Sequence, residues 1–156
     1  PFLKLGATHF HEMSALAPAP AHLSALLPIN IRRYRARTRT AQTQIAEMLQ
    51  SLSVDRVVDP AAGCSDALVR YPVLMPDEAA RDRALVRLHR TGLGATALYR
   101  TVLPQIAGLE QRLADVGPFP VAQDFAARLL TLPTHEDVTA TDVVAMGRCL
   151  QASVDE

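Results

Sequence analysis

The chain has 156 residues, 49% hydrophobic and 21% charged, with 7 Gly, 11 Pro and 2 Cys. This is the profile of one ordinary soluble domain, and it excludes a disordered chain, a collagenous repeat and a disulfide scaffold. The formal net charge is zero, but 15 of the 16 basic residues are Arg, so any chemistry that needs a lysine amine has only Lys4 to draw on.

Folding at this length hides about 68–70% of the surface an unfolded chain exposes, enough for a core without structural metal. Pro18, Pro20 and Pro28 interrupt an Ala- and Leu-rich start, which predicts short helical pieces separated by kinks over 1–30. Asn30 is an N-cap residue type for a long helix over 31–52, whose apolar positions Tyr34, Ala41, Ile45, Met48, Leu49 and Leu52 recur at three and four. Residues 53–66, rich in Asp, Gly, Ser and Pro, read as a loop.

Ala67 to Leu74 carries the branched and aromatic content of a strand, and Pro72, which has no amide to donate, assigns it to a sheet edge. Asp77 caps the next helix, Ala80, Ala84, Leu85 and Leu88 form its inner face, and Gly92 stops it. Gly94 to Leu98 offers a second strand and Pro104 to Ala114 a short helical segment. After Gly117, Pro118 and Pro120 a helix is predicted over 121–130 with the stripe Val121, Phe125, Leu129. Thr131 to Pro133 reads as a brief strand, and Thr139 with Asp142 as a capping box for a final helix bearing Val143, Met146 and Leu150. No internal repeat or low-complexity tract is present.

Charge is divided unevenly. Residues 1–54 hold Lys4 and five Arg against Glu12 and Glu47, a net of +4, and the remainder holds 10 Arg against 14 acids, a net of −4. Arginines 32, 33, 35, 37 and 39 make the strongest local field. That field reads either as a phosphate-binding footprint or as a solvated face meeting acids of this chain or a partner. Only Tyr34 is aromatic nearby, so no platform for stacking bases exists and nucleic acid is not expected as a partner.

His9 and His11 with Glu12 and His22 form a metal-capable set that lacks a third ligand at a characteristic spacing. His135, beside Glu136 and Asp137, is a candidate general base or a turn residue ahead of the last cap. Ser14, Ser24 and Ser65 have no nucleophile-elbow setting, and Gly92 with Gly94 gives only a fragment of a dinucleotide motif. Cys64 and Cys149 have no CxxC spacing and read as free thiols of a reducing compartment. With no run of 18 apolar residues and no leader pattern, the expected location is the cytoplasm, away from membranes. A chain that begins at Pro1 reads as a piece of a longer parent.

Longer phrases carry a resemblance. Gly6-Ala7-Thr8-His9-Phe10-His11 is followed by Leu16-Ala17, His22-Leu23 and Arg33, then by DEAARDRALVRLHR over 77–90 and by Thr91-Gly92-Leu93-Gly94. Leu98-Tyr99-Arg100-Thr101-Val102-Leu103 comes next, and Pro120 to Leu150 contains Leu132-Pro133 before the capped last helix. Over nearly the whole chain these phrases resemble the C-terminal portion of DegT/StrS-type sugar aminotransferases, fold-type I enzymes that depend on pyridoxal phosphate. The resemblance implies an α/β fold: a small antiparallel sheet with packed helices, preceded by a long helix. It divides the chain into 1–30, joining a larger domain, and 31–156, the small domain.

The same resemblance implies a homodimer, a nucleotide-linked keto-sugar as substrate, and polysaccharide or antibiotic-sugar synthesis as the setting. It places Thr8 at the cofactor phosphate of the neighbouring subunit, where the family has Asn, and Tyr99 at the substrate end. Phe10 replaces a family Arg, and Leu103 replaces a His. The lysine that forms the Schiff base belongs to the larger domain, so no catalytic residue is assigned here and the piece cannot transaminate alone. The alternative reading is an interaction module that kept the fold, lost catalysis and docks through the Arg-rich helix.

Overall fold

The computed structural model describes residues 20–52, 54–56, 67–109, 113 and 117–156. In chain order the elements are α1 (Ala21–Arg35), α2 (Thr40–Leu49), β1 (Asp55–Arg56), β2 (Arg70–Leu74), α3 (Glu78–Arg90), a 3-10 turn at Leu103–Gln105, α4 (Pro120–Arg128), β3 (Leu129–Pro133) and α5 (Ala140–Val154). The strands form one antiparallel sheet in the order β1-β2-β3. Tyr71 and Val73 stand opposite Leu132 and Leu130, and because strand side chains alternate, these four share one buried face. Helices α2, α3 and α5 cover it, with α5 packed against both others. Each fully buried Met146 or Leu150 contributes about 1.5–3 kcal/mol by leaving water.

Local chemistry fixes the ends of the packed helices. Asp77 accepts from the Ala80 amide at 2.7 Å, satisfying a donor that an uncapped α3 would leave open. At the other end Gly92 adopts φ +78, its amide reaching His89 O and that of Leu93 reaching Leu88 O. These two bonds make a Schellman turn, which needs the left-handed residue that Gly supplies without steric cost. Thr139 and Asp142 exchange hydrogen bonds in a capping box at the start of α5. The far end of α5 is held by Arg83, which donates to Ser153 O at 2.8 Å. Gly147 lets α5 approach α2 closely, since a Cβ there would lie 3.0 Å from Met48 Cγ.

Several sequence expectations are corrected. Two helices, α1 and α2, replace the single one predicted over 31–52, and Asn30 lies inside α1 rather than capping a helix. A continuous helix would stack Arg35 on Arg39, a like-charge pair four apart. Ending α1 at Arg35 instead sets Arg32, Arg33 and Arg35 at the negative end of the helix dipole. Within the predicted loop, Asp55–Arg56 pairs with β2, while 53 and 57–66 lie outside the described residues.

Strand β2 is central rather than an edge, yet the reasoning about Pro72 survives in another form. Both the amide and the carbonyl of Thr131 are spent on Thr96, so the opposite pair Pro72–Thr131 is one that exchanges no hydrogen bonds. The ring nitrogen of Pro72 therefore faces the β1 side, beyond the two described pairs of that strand. Pro133, opposite Arg70, occupies the same kind of position.

The predicted strand at 94–98 is reduced to a single bridge between Thr96 and Thr131. Of the short helical segment expected over 104–114, residues 110–112 and 114 lie outside the described residues; the described part holds the 3-10 turn at Leu103–Gln105, and the amides of Leu109 and Leu113 reach Ile106 O and Leu109 O. Helix α4 ends at Arg128, and Leu129 begins β3. Two residues of its predicted stripe, Val121 at 83% exposure and Phe125, turn outward, while the third, Leu129, is buried in β3 and Ala126 is the buried residue of α4. Arg128 sets that rotation, donating to Met75 O at 2.7 Å, to Asp55 at 2.8 Å and to Asp124 at 3.0 Å. Hydrogen bonding to Asp124 raises its pKa above the usual arginine value, against a smaller opposing effect of burial.

Candidate functional site

Two concavities are formed by the described residues near the segments singled out above. The larger, about 940 Å³, lies between the chain after the Thr96 bridge and the start of α4. Tyr99, Leu103 and Pro104 form one side, and Phe119, Val121 and Phe125 the other. Prolines 104, 118 and 120 shape its walls by fixing backbone torsions. Among the described residues no charged side chain lines it, and the hydroxyls of Tyr99 and Thr101 are the polar side-chain groups they contribute. Such a groove shields apolar surface and orients a ligand through a few hydrogen bonds, within the size range of small-molecule sites.

Tyr99 is 72% exposed and has φ +55. A bulky residue in the left-handed region carries backbone strain, which persists only where surrounding structure imposes it. Leu103 lies exposed in the same groove.

The smaller concavity, about 290 Å³, is polar and joins α1 to the turn before α5. Asn30, Arg33, Tyr34 and Arg37 share it with His135, Glu136 and Asp137. The Nδ1 of His135 lies 3.6 Å from Asp137. Tyr34 anchors this end of α1 by donating to Ala67 O at 2.8 Å. The neighbouring Leu68 is tied to Gln42 through its amide and to Thr134 through its carbonyl. Asp142, close by, has its pKa held below the usual carboxylate value, first by the hydrogen bond from the Thr139 backbone and then by that from its hydroxyl.

Thr8, His9, His11 and Glu12 lie outside the described residues, as does Cys64. His22 is exposed on α1, and no group of three potential metal ligands exists among the described residues. Cys149 is a free thiol, half-buried, 4.0 Å from Thr91 Oγ1. Of the expected arginine field, Arg33 and Arg37 share their pocket with acids, while Arg32, Arg35 and Arg39 are exposed. No helix among the described residues is long and apolar enough to cross a membrane.

Neither concavity fits pyridoxal phosphate. Among the described residues the groove offers no cation for the phosphate and no carboxylate for the ring nitrogen, and in the polar pocket Glu136 and Asp137 accompany the arginines. Lys4, the one lysine, is outside the described residues. No cofactor step is assigned to these side chains.

Sequence reasoning missed one residue next to the Tyr99 segment. Arg70 donates through Nε to Thr131 Oγ1 at 2.7 Å and through a terminal nitrogen to Thr131 O at 3.0 Å and to Gly94 O. Partial burial lowers its pKa from the usual arginine value by desolvation. Arg70 and Thr131 are 61 residues apart in the chain, so no local pattern signals the contact.

The aminotransferase TlmJ from Streptoalloteichus hindustanus is similar in structure, with 25% identity and a TM-score of 0.59, over 82% of this chain and 34% of that one. PseC of Helicobacter pylori, an aminotransferase involved in the biosynthesis of pseudoaminic acid, shares 20% identity with a TM-score of 0.63, over 85% of this chain and 35% of that one. A DegT DnrJ EryC1 StrS aminotransferase from Brucella abortus gives 18% identity and a TM-score of 0.63 over the same shares, 85% and 35%. The chain thus spans about a third of the length of these solved structures. No curated protein matches it. The family model of the DegT/DnrJ/EryC1/StrS aminotransferases matches residues 19–151, most of the described fold, and the chain belongs to that family.

Proposed function

We propose that this chain is the C-terminal small domain of a pyridoxal-phosphate-dependent aminotransferase that aminates a nucleotide-linked keto-sugar, in surface-polysaccharide or antibiotic-sugar synthesis. The family match over 19–151 is the observation that carries this reading. In it, residues 1–30 join the larger domain and 31–156 form the small one. The cofactor, bound by the larger domain, supplies the electron sink for amino transfer. Thr8 approaches the cofactor phosphate of the neighbouring subunit in a cytoplasmic homodimer. The Tyr99 hydroxyl, on the rim of the apolar groove, exchanges a hydrogen bond with the sugar, and the groove keeps water from that end of the substrate.

The test is expression of the full-length protein, an absorbance scan near about 420 nm for bound cofactor, and assay with nucleotide-linked keto-sugars and an amino-acid donor. Cofactor absorbance, amination, and a raised KM in Tyr99→Phe are expected. Full-length protein that takes up no cofactor and aminates nothing overturns the reading. A second reading has its own observation, the exposed Arg32, Arg35 and Arg39 beside Arg33 and Arg37. Those residues suit an acidic partner, and salt-sensitive binding by a cofactor-free protein would support an interaction module instead.

A further inference from the structure

We propose that Arg70 is the positioning residue of the Tyr99 segment. The inference deepens the reading above, because it rests on Tyr99 meeting the substrate. From Leu93 to Ala95 the chain is tied to α3: the Leu93 amide closes the Schellman turn, and His89 Nε2 lies 2.8 Å from Ala95 O. Thr96 is tied to β3 by a pair of backbone bonds with Thr131 at 3.0 and 2.8 Å, and the two hydroxyls lie 2.8 Å apart. No hydrogen bond reaches residues 98 to 101 among the described residues, and the chain is next caught where the Val102 amide meets the Gln105 side chain. Tyr99, with its left-handed backbone, is therefore aimed by the anchor that precedes it.

Arg70 joins the parts of this anchor across three segments, with the Thr131 hydroxyl as the point where they meet. Its fork grips the hydroxyl and carbonyl of Thr131 on β3 and the carbonyl of Gly94. By donating to Thr131 Oγ1 it also leaves that hydroxyl's own proton for Thr96, whose carbonyl is 3.2 Å away. A lysine keeps the charge and the stem but has no planar fork to make the same contacts together. A lone bridge pair without this brace has few neighbours to hold it, and a strained turn next to it would relax.

The experiment uses the full-length protein with Arg70→Lys and, as a second and nearly isosteric variant, Thr131→Val. Hydrogen exchange is followed by mass spectrometry of peptides covering 91–103, 127–134 and 140–154. Both variants are expected to exchange the bridge amides of residues 96 and 131 about tenfold faster, with 140–154 unchanged. In assays with the keto-sugar, KM is expected to rise while kcat holds. Unchanged protection at the bridge in both variants overturns the proposal. So does equal loss of protection across 140–154, which makes Arg70 a residue of the whole fold. If Tyr99→Phe leaves KM unchanged while Arg70→Lys still opens the bridge, the substrate reading falls and the positioning role stands.

Discussion

Helices α1 and α5 are both fifteen residues long, and they have opposite relations to the protein. α5 is capped at its start, carries Asp142 in its first turn and buries Val143, Met146, Leu150 and Ser153. α1 begins at Pro20 without a side-chain cap, contains Pro28, ends in three arginines and buries nothing among the described residues. Its Leu23, Leu26, Leu27 and Ile31 are exposed. A helical pattern is thus no guarantee of a packed helix: burial of an apolar face, more than propensity, stabilises short helices. In α1, Tyr34 and the polar pocket supply the attachment that apolar packing supplies in α5.

The contrast can be broken from either side. Leu150→Ala removes a fully buried side chain and is expected to cost about 2–5 kcal/mol in urea unfolding. Leu27→Ala, at a residue 59% exposed on α1, is expected to stay within about 0.5 kcal/mol in the same measurement. A comparable loss at both positions would abolish the distinction.

Gly92→Ala meets no steric obstacle but must hold φ +78, and is expected to cost about 1–2 kcal/mol, read as a lower midpoint in thermal unfolding. Thr139→Ala removes the capping box of α5 and is expected to cost about 1 kcal/mol. Pro20→Ser offers α1 the cap it lacks, and should raise protection of α1 amides without raising the global unfolding free energy.

The smallest effect is a pH dependence. Because the pKa of Asp142 is depressed in the folded state, the native protein binds fewer protons there than the unfolded chain does. Its contribution is present above the unfolded carboxylate range and is lost as pH falls through the folded value, below about pH 4. Asp142→Asn should therefore be less stable than the native chain near neutrality, with the gap closing in acid. A gap that stays constant across an acid titration would show that the cap acts without its charge.

What the sequence made legible was the local part of the fold. The Asp77 cap, the Gly92 stop and the Thr139 box each depend on residues within one or two turns and are found where they were expected, and the strand expected over Thr131–Pro133 is present but starts earlier, at Leu129. The break between α1 and α2 was missed because apolar spacing was weighed without the arginine repulsion along the same helix. Where tertiary forces decide, the reading failed in the outward turn of Val121 and the collapse of the 94–98 strand to one bridge. For the candidate site, Tyr99 came from a family phrase, while its groove needs α4 beside it and its brace needs Arg70 to meet Thr131. Those juxtapositions leave no periodic trace in either segment.

Pro72 bears on the behaviour of the molecule in crowded solution. A foreign strand zipping onto the β1 side of β2 would require a donor at every second residue, and at 72 it would find a ring carbon instead of an amide hydrogen. Among the described residues two of β1 pair with β2, and a longer intruding ladder would be interrupted in its middle. The imino acid therefore acts as a built-in stop against templated strand recruitment, placed on the strand that the rest of the fold can least afford to have captured.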